Sequence, residues 1–194
     1  MSEIQYDGLA IPTAYRGRMY RSRLEAKWAA FFDRLGWEHE YEPVDFGIWS
    51  PDFAIKTFGG PVFIEVKPVM EPHDETLERM ATVPGEHILV GMAPFRPEWD
   101  GGTGNGACLG WFASKETEDP TDWHSPNGYP VCITTSGTPF GYACLTNSYR
   151  DRISDYYDGS VDEAMWADVQ PMWADACNAV QYRPRRRSRR RVPA

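Results

Sequence analysis

The sequence predicts a mixed α/β (α+β) fold, a central mixed sheet flanked by helices, and three observations carry that expectation. A stretch of helical period lies near the start, and two β-prone runs around a glycine pair follow it. A second helical stretch then leads into another apolar run, all within the first 95 residues. A chain of 194 residues is one domain of ordinary size. About 70% of the unfolded surface can be buried at this length. The 42% apolar content, with 14% aromatic residues, supports a packed core and excludes wholesale disorder.

Leu24, Trp28, Phe31 and Leu35 recur at intervals of four, three and four, one face of a helix over 21–35. Ser22 is placed to cap it, Glu25 to complete a capping box and Gly36 to end it. WEHEYEPVDF (37–46) reads as a short strand, around 38–42, and a loop. PDFAIK and PVFIEVK, on either side of Gly59–Gly60, read as a hairpin. MEPHDETLERMA reads as a helix starting near Pro72, and HILVGMAPF as a strand. In the second half, DGGTGNGA (100–107) reads as a flexible loop, and CLGWFAS, YPVCITT and FGYACL as three short strands. Residues 161–180 have helical period, with Ala164, Met165, Val169, Met172, Trp173, Ala176 and Val180 as the apolar stripe. Pro171 should kink or split that helix. Residues 1–183 are therefore read as one domain, with core motifs in 15–95 and a strand-rich elaboration with a terminal helix over 96–183. The tail at 184–194 is too charged to fold alone.

Formal net charge is −8, unevenly spread. Seven of the 20 Lys and Arg side chains lie in the last dozen residues (Arg183, Arg185, Arg186, Arg187, Arg189, Arg190 and Arg191), leaving 13 against 28 Asp and Glu. An acidic body with a basic tail must grip any polyanion locally. The four cysteines (Cys108, Cys132, Cys144, Cys177) form no CxxC pair, which argues against a closed zinc site and offers no disulfide framework. They are expected to pack as small hydrophobes in a reducing cytoplasm. MSEIQYDGLA has no basic or apolar leader character, and no run approaches the ~18 apolar residues of a membrane helix. GGTGNGA lacks the GK[ST] ending of a P-loop, the four histidines have no metal-like spacing, and no serine lies in a GxSxG context.

The hairpin holds the chemistry. With Gly59–Gly60 as a two-residue turn of type I′ or II′, Phe58 pairs with Pro61, Lys56 with Phe63, Ala54 with Glu65, and Asp52 with Lys67. Alternation then puts Phe53, Ile55, Val62, Ile64 and Val66 on the core face, and Asp52, Ala54, Lys56, Phe63, Glu65 and Lys67 on the other. Two carboxylates about 5–8 Å apart on neighbouring strands are costly unless a cation lies between them. Oxygen ligands favour Mg²⁺ or Mn²⁺ over zinc. Glu25, on the edge of the buried helix face, can reach the same place.

PDF at 51–53, EVK at 65–67 and the upstream glutamate of RSRLEAKW resemble the PD-(D/E)XK nuclease superfamily, the restriction-endonuclease-like fold, over residues 15–95. The helix RSRLEAKWAAFFDRLGW is similar to those opening small bacterial and phage members. The resemblance implies an αβββαβ core, with Asp52, Glu65 and the Val66 carbonyl binding Mg²⁺ (or Mn²⁺). It further implies that Lys67 assists the attacking water and Glu25 completes the acidic cluster. The expected activity is metal-dependent hydrolysis of DNA phosphodiester bonds, DNA ahead of RNA. Such a protein would be phage or mobile-element encoded and act in the bacterial cytoplasm, and cutting both strands at once would call for two active sites, as in a homodimer. Arg16, Arg18, Arg21 and Arg23, before or at the start of the first helix, and Arg185, Arg186, Arg187, Arg189, Arg190 and Arg191 in the tail, are the candidate phosphate contacts. Two rivals stand beside this reading. One is a non-catalytic module on the same fold that binds nucleic acid or protein; the other is an assembly protein whose tail touches packaged DNA.

Overall fold

The structure, a computed structural model, describes residues 10–99, 102–113, 128–135, 140–144, 151–154 and 162–181. The arginine tail lies outside these residues, as do Trp123, Tyr149, Tyr156, Tyr157 and His124.

A hairpin that the sequence reading did not anticipate comes first: β1 (Thr13–Tyr15) pairs with β2 (Arg18–Tyr20) through Arg16 and Gly17. Both turn residues have positive φ, 45° and 81°, the signature of a type I′ turn. Next, α1 (Arg23–Leu35) starts at Ser22, whose hydroxyl accepts the Glu25 N–H at 3.1 Å, and stops at Gly36 in the left-handed region. Only the Ser22 half of the capping box forms, because the Glu25 carboxylate accepts from the Tyr41 hydroxyl instead. Then follow β3 (His39–Tyr41), β4 (Phe53–Thr57), β5 (Gly60–Val66), α2 (Asp74–Ala81) and β6 (His87–Val90).

The second half does not form a separate unit. β7 (Glu98–Trp99), just before the segment read as a loop, makes a small ribbon with β8 (Gly102–Thr103) inside it. β9 (Cys108–Ala113) pairs antiparallel with β6, and β10 (Pro130–Thr134) and β11 (Gly141–Cys144) extend the same sheet. The result is a seven-stranded mixed sheet in the order β11-β10-β9-β6-β5-β4-β3. Only β5 and β6 run parallel, with α2 as their crossover. Cys108 and Cys132 are free, buried and opposite one another on β9 and β10.

Each face of the sheet has its own core. On one side, Trp28, Phe31 and Phe32 of α1 and Val169 and Ala176 of the last helix, α3 (Trp166–Ala179), pack on Phe53, Ile55, Val62, Ile64 and Val66. These five strand residues are the apolar set that the alternation pattern assigned to the interior. On the other side, Leu77 and Met80 of α2 pack with Leu89, Trp111 and Trp49. α3 starts five residues later than the periodicity suggested and is not split by Pro171. Residues before it bridge to strands instead, Glu163 to Thr134 and Met165 to Gly106. Proline removes one intrahelical N–H, and the contact of Trp173 with Trp28 and Phe31 of α1 holds the helix across that gap. Among the described residues no helix is long and apolar enough to cross a membrane.

His87 is buried beside Trp49 and Phe63, with Nε2 3.0 Å from the Val83 carbonyl and Nδ1 lacking a partner. Burial lowers its pKa below the ordinary 6.5, the Val83 bond opposing only in part. The folded state therefore prefers the neutral ring. This contribution is complete above about pH 6.5 and is lost as the pH falls through the depressed folded value. Taken by itself, this contribution lowers the urea unfolding midpoint between pH 7.5 and pH 5.5, roughly the window in which free histidine titrates. The drop should be shallower for His87→Gln, which keeps a donor toward Val83 but does not titrate. An equal drop in both proteins would remove His87 as the cause.

Candidate functional site

The hairpin register differs from the expected one by two residues. Lys56 pairs with Pro61, Ala54 with Phe63 and Phe53 with Ile64, so the turn is Phe58–Gly59 and Thr57 faces Gly60. Neither turn residue has positive φ, which excludes types I′ and II′; the positive angle, 118°, falls on Gly60, inside the strand. A shift of two conserves the side-chain faces. One further step of the observed ladder sets Asp52 against Glu65 rather than against Lys67. The two carboxylates lie near enough for the charge of Glu65 to act on Asp52.

They are also more deeply enclosed than an outward-facing pocket would make them. Asp52, Glu65 and Glu25 are 5%, 4% and 7% exposed. Asp52 Oδ2 accepts the Val66 backbone N–H at 2.8 Å, and its Oδ1 accepts from Arg21 Nη2 at 2.7 Å. Glu65 Oε2 accepts the Trp49 indole N–H at 2.8 Å, and its Oε1 lies 2.6 Å from Lys67 Nζ and 3.9 Å from Arg79 Nη2. The enclosure comes from the loop between β3 and β4. Its ends are tied by the Glu42 N–H to the Asp52 carbonyl at 2.9 Å, and it folds Trp49 onto the sheet between Glu65 and His87.

Burial, and then the charge of Glu65, push the Asp52 carboxyl up to about 7; the Val66 N–H acts in the opposite sense and Glu25 adds to the rise. Arg21 is held above the ordinary arginine value: burial alone would lower it, but Asp52, the Tyr41 hydroxyl and Glu42 outweigh that. The Tyr41 hydroxyl, half-buried and bonded to Glu25, is likewise shifted upward. Negative charge on Asp52 is therefore expensive in the metal-free protein even with a guanidinium at contact distance.

Asp52, Glu65, Lys67, Glu25 and Val66 are brought together as the sequence suggested. Of the four arginines before or at the start of α1, Arg21 alone is seen to reach this cluster among the described residues. Arg16 pairs with Asp33 at 3.2 Å and shares a separate cleft with Arg18, Tyr15 and Tyr20. Arg23 lines another cleft with Ile11, Pro12 and Gln181, its Nε buried without a partner. These three arginines line two separate clefts, so a single basic patch is not formed with Arg21 on the carboxylate side. The tail arginines, Arg185, Arg186, Arg187, Arg189, Arg190 and Arg191, lie outside the described residues. Three residues of the cluster escaped the sequence reading: Trp49, Tyr41 and Arg79. Each comes from a segment whose placement depends on long-range packing, and only the proximity of Trp49 to the PDF run hinted at a role.

A divalent cation is compatible with this donor set. Two buried carboxylates on one sheet face repel each other, and each directs one oxygen at a partly exposed cationic side chain that can be displaced. Among the described residues no group of three or more His, Cys, Asp or Glu side chains is arranged to hold a metal. Two carboxylates and a backbone carbonyl would leave the remaining positions to water, the arrangement Mg²⁺ commonly adopts. Comparison with protein-family models, curated proteins and solved structures finds no match to this chain.

Proposed function

We propose that the chain is a metal-dependent nuclease of the PD-(D/E)XK kind, with a restriction-endonuclease-like core, that hydrolyses DNA phosphodiester bonds in the bacterial cytoplasm as a phage or mobile-element product. The observation that carries the reading is the burial of Asp52 and Glu65 close enough for the Glu65 charge to act on Asp52, with Lys67 at 2.6 Å from Glu65. Supporting it are the buried Glu25 on the neighbouring helix and the succession α1-β3-β4-β5-α2-β6.

Asp52, Glu65 and the Val66 carbonyl would hold one or two Mg²⁺ (or Mn²⁺) ions. The ion, when bound, lowers the pKa of water and stabilises charge on the phosphoryl oxygens. The chain does the rest. Lys67 orients the attacking water in line with the scissile bond, and its ammonium offsets charge that grows on the phosphate. Glu25, anchored by Tyr41, keeps the acidic end of the cluster fixed. The Trp49 N–H fixes the rotamer of Glu65 and leaves its other oxygen for the ion.

The test compares wild type with Asp52→Ala and Lys67→Ala on plasmid and single-stranded DNA with Mg²⁺ or Mn²⁺. Both substitutions should reduce cleavage by about two to three orders of magnitude. Cleavage unchanged by both would remove the catalytic assignment. DNA binding without cleavage by the wild type would favour the non-catalytic module. The internal compensation of Asp52 by Arg21 and of Glu65 by Lys67 is the observation on that side, since it satisfies both carboxylates without any ion.

A further inference from the structure

Three cations from three different segments surround the carboxylate pair: Arg21 just before α1, Lys67 just after β5, and Arg79 on α2. The two arginines differ from the lysine in exposure and in reach. The side chains of Arg21 and Arg79 are 61% and 45% exposed, against 7% and 6% for the carboxylates they approach. Their guanidinium groups therefore sit at the mouth of the cluster, one over Asp52 and the other over Glu65. Arg21 is also tethered: its Nε bonds Glu42 Oε1 at 2.9 Å while Nη2 bonds Asp52. Glu42 itself has a left-handed backbone, φ 48°, and its N–H holds the Asp52 carbonyl. Released from Asp52, Arg21 would remain positioned at the site by Glu42.

A divalent cation and these guanidinium groups compete for the same oxygens. They cannot all lie against Asp52 Oδ1 and Glu65 Oε1 without like-charge repulsion at contact distance. The planar fork of arginine also matches the oxygens of a phosphate, and an arginine displaced from a carboxylate at the mouth faces outward, where a substrate backbone would lie.

We propose that Arg21 and Arg79 are exchangeable counter-ions: in the metal-free protein Arg21 neutralises Asp52 and Arg79 adds its charge to that of Lys67 near Glu65, and each turns to a backbone phosphate of the nucleic acid when a divalent cation takes its place. This rests on the nuclease reading and specifies how metal loading and substrate binding are coupled. The coupling is reciprocal, so ion and nucleic acid strengthen one another's binding by the same factor. Without the ion, the arginines stay on the carboxylates and the site holds phosphate weakly.

The experiment measures two affinities on the full chain. Calorimetry with MnCl₂ alone is run at about pH 8.5, above the value of about 7 to which the Asp52 carboxyl is raised. Fluorescence anisotropy follows a labelled DNA duplex in Ca²⁺, an ion used here to support binding. Arg21→Gln and Arg79→Gln should each bind Mn²⁺ about three- to fivefold more tightly, the scale of a partly exposed ion pair. Each should bind DNA in Ca²⁺ several-fold more weakly. Arg21→Lys, which keeps the charge, should hold Mn²⁺ as the wild type does, and Arg16→Gln should leave Mn²⁺ affinity unaltered. Opposite movement of the two affinities is the distinguishing result, because a merely structural arginine would weaken both when removed. Mn²⁺ affinity unchanged or reduced in Arg21→Gln and Arg79→Gln, with normal Mn²⁺ uptake by the wild type, overturns the exchange alone. No Mn²⁺ uptake by the wild type overturns the nuclease reading and this inference with it.

Discussion

Asp52→Asn is expected to reduce Mg²⁺-dependent DNA cleavage about a thousandfold while removing a pH-dependent weakness of the metal-free fold. The first effect follows from the loss of an ionised ligand beside Glu65. The second follows from the enclosure of that ligand, whose pKa rises to about 7 because burial and the Glu65 charge disfavour ionisation. A carboxyl with a folded pKa above its unfolded value, about 3.9, favours the native state when protonated. That contribution is complete below the unfolded value and is lost as the pH climbs through about 7. Through Asp52 the metal-free wild type should therefore lose stability between about pH 4 and pH 7, opposite in sign to the contribution of His87, and Asp52→Asn should lack this part of the loss. Asparagine keeps an oxygen for the Val66 N–H, and Arg21 is exposed enough to turn to water. Urea midpoints at several pH values, beside cleavage rates at saturating Mg²⁺, provide the check. A variant that cleaves normally would remove Asp52 from the ligand set; one with the wild-type pH slope would assign the slope to another group.

Trp28→Ala is expected to be the most damaging substitution to the fold, at about 3–5 kcal/mol. The indole is fully buried at the centre of the layer formed by α1 and α3. It contacts Phe31, Phe32 and Trp173 with ring centroids 5.6, 5.8 and 4.8 Å away, and its N–H donates to the Gly91 carbonyl at 2.8 Å. Truncation opens a cavity where three aromatic rings meet and leaves the Gly91 carbonyl unpaired. For a domain of this size the melting temperature should fall by roughly 10 °C. Trp28→Phe should recover much of the packing without the hydrogen bond, and the difference between the two variants isolates the polar part. A fall of only a degree or two in Trp28→Ala would show that the helix layer closes over the gap.

The link between helix and site is direct. Trp28 fastens α1 to the residue after β6, and one turn earlier on the same helix Glu25 faces Tyr41. Loss of Trp28 should therefore also loosen the acidic end of the cluster. In contrast, substitutions at Arg16, paired on the surface with Asp33, should leave the site unaffected.

What the chain carries in its local pattern is the set of elements and the sorting of side chains between sheet faces. Alternation along PDFAIK and PVFIEVK has a period of two, so it separates Phe53, Ile55, Val62, Ile64 and Val66 from Asp52 and Glu65 whatever turn joins the strands. For the same reason the faces survived an error of two residues in register. Ser22 and Gly36 likewise mark the ends of α1, because capping is a property of a few adjacent backbone groups.

Tertiary structure alone decided which residue stands opposite which, and what covers the carboxylates. The turn at Phe58–Gly59 brought Asp52 to Glu65, a distinction invisible to periodicity because both registers bury the same faces. Trp49, Tyr41 and Arg79 reach the cluster from a loop, an edge strand and a helix that are far apart along the chain. Their positions depend on how those segments pack, and no local spacing encodes that. The same holds for the second half, where three strands of unassigned role prolong the sheet beside β6. The electrostatic character of the site follows from that packing. An aspartate and a glutamate are ordinary surface residues until a loop removes water from them, and only then does each need a neighbouring cation.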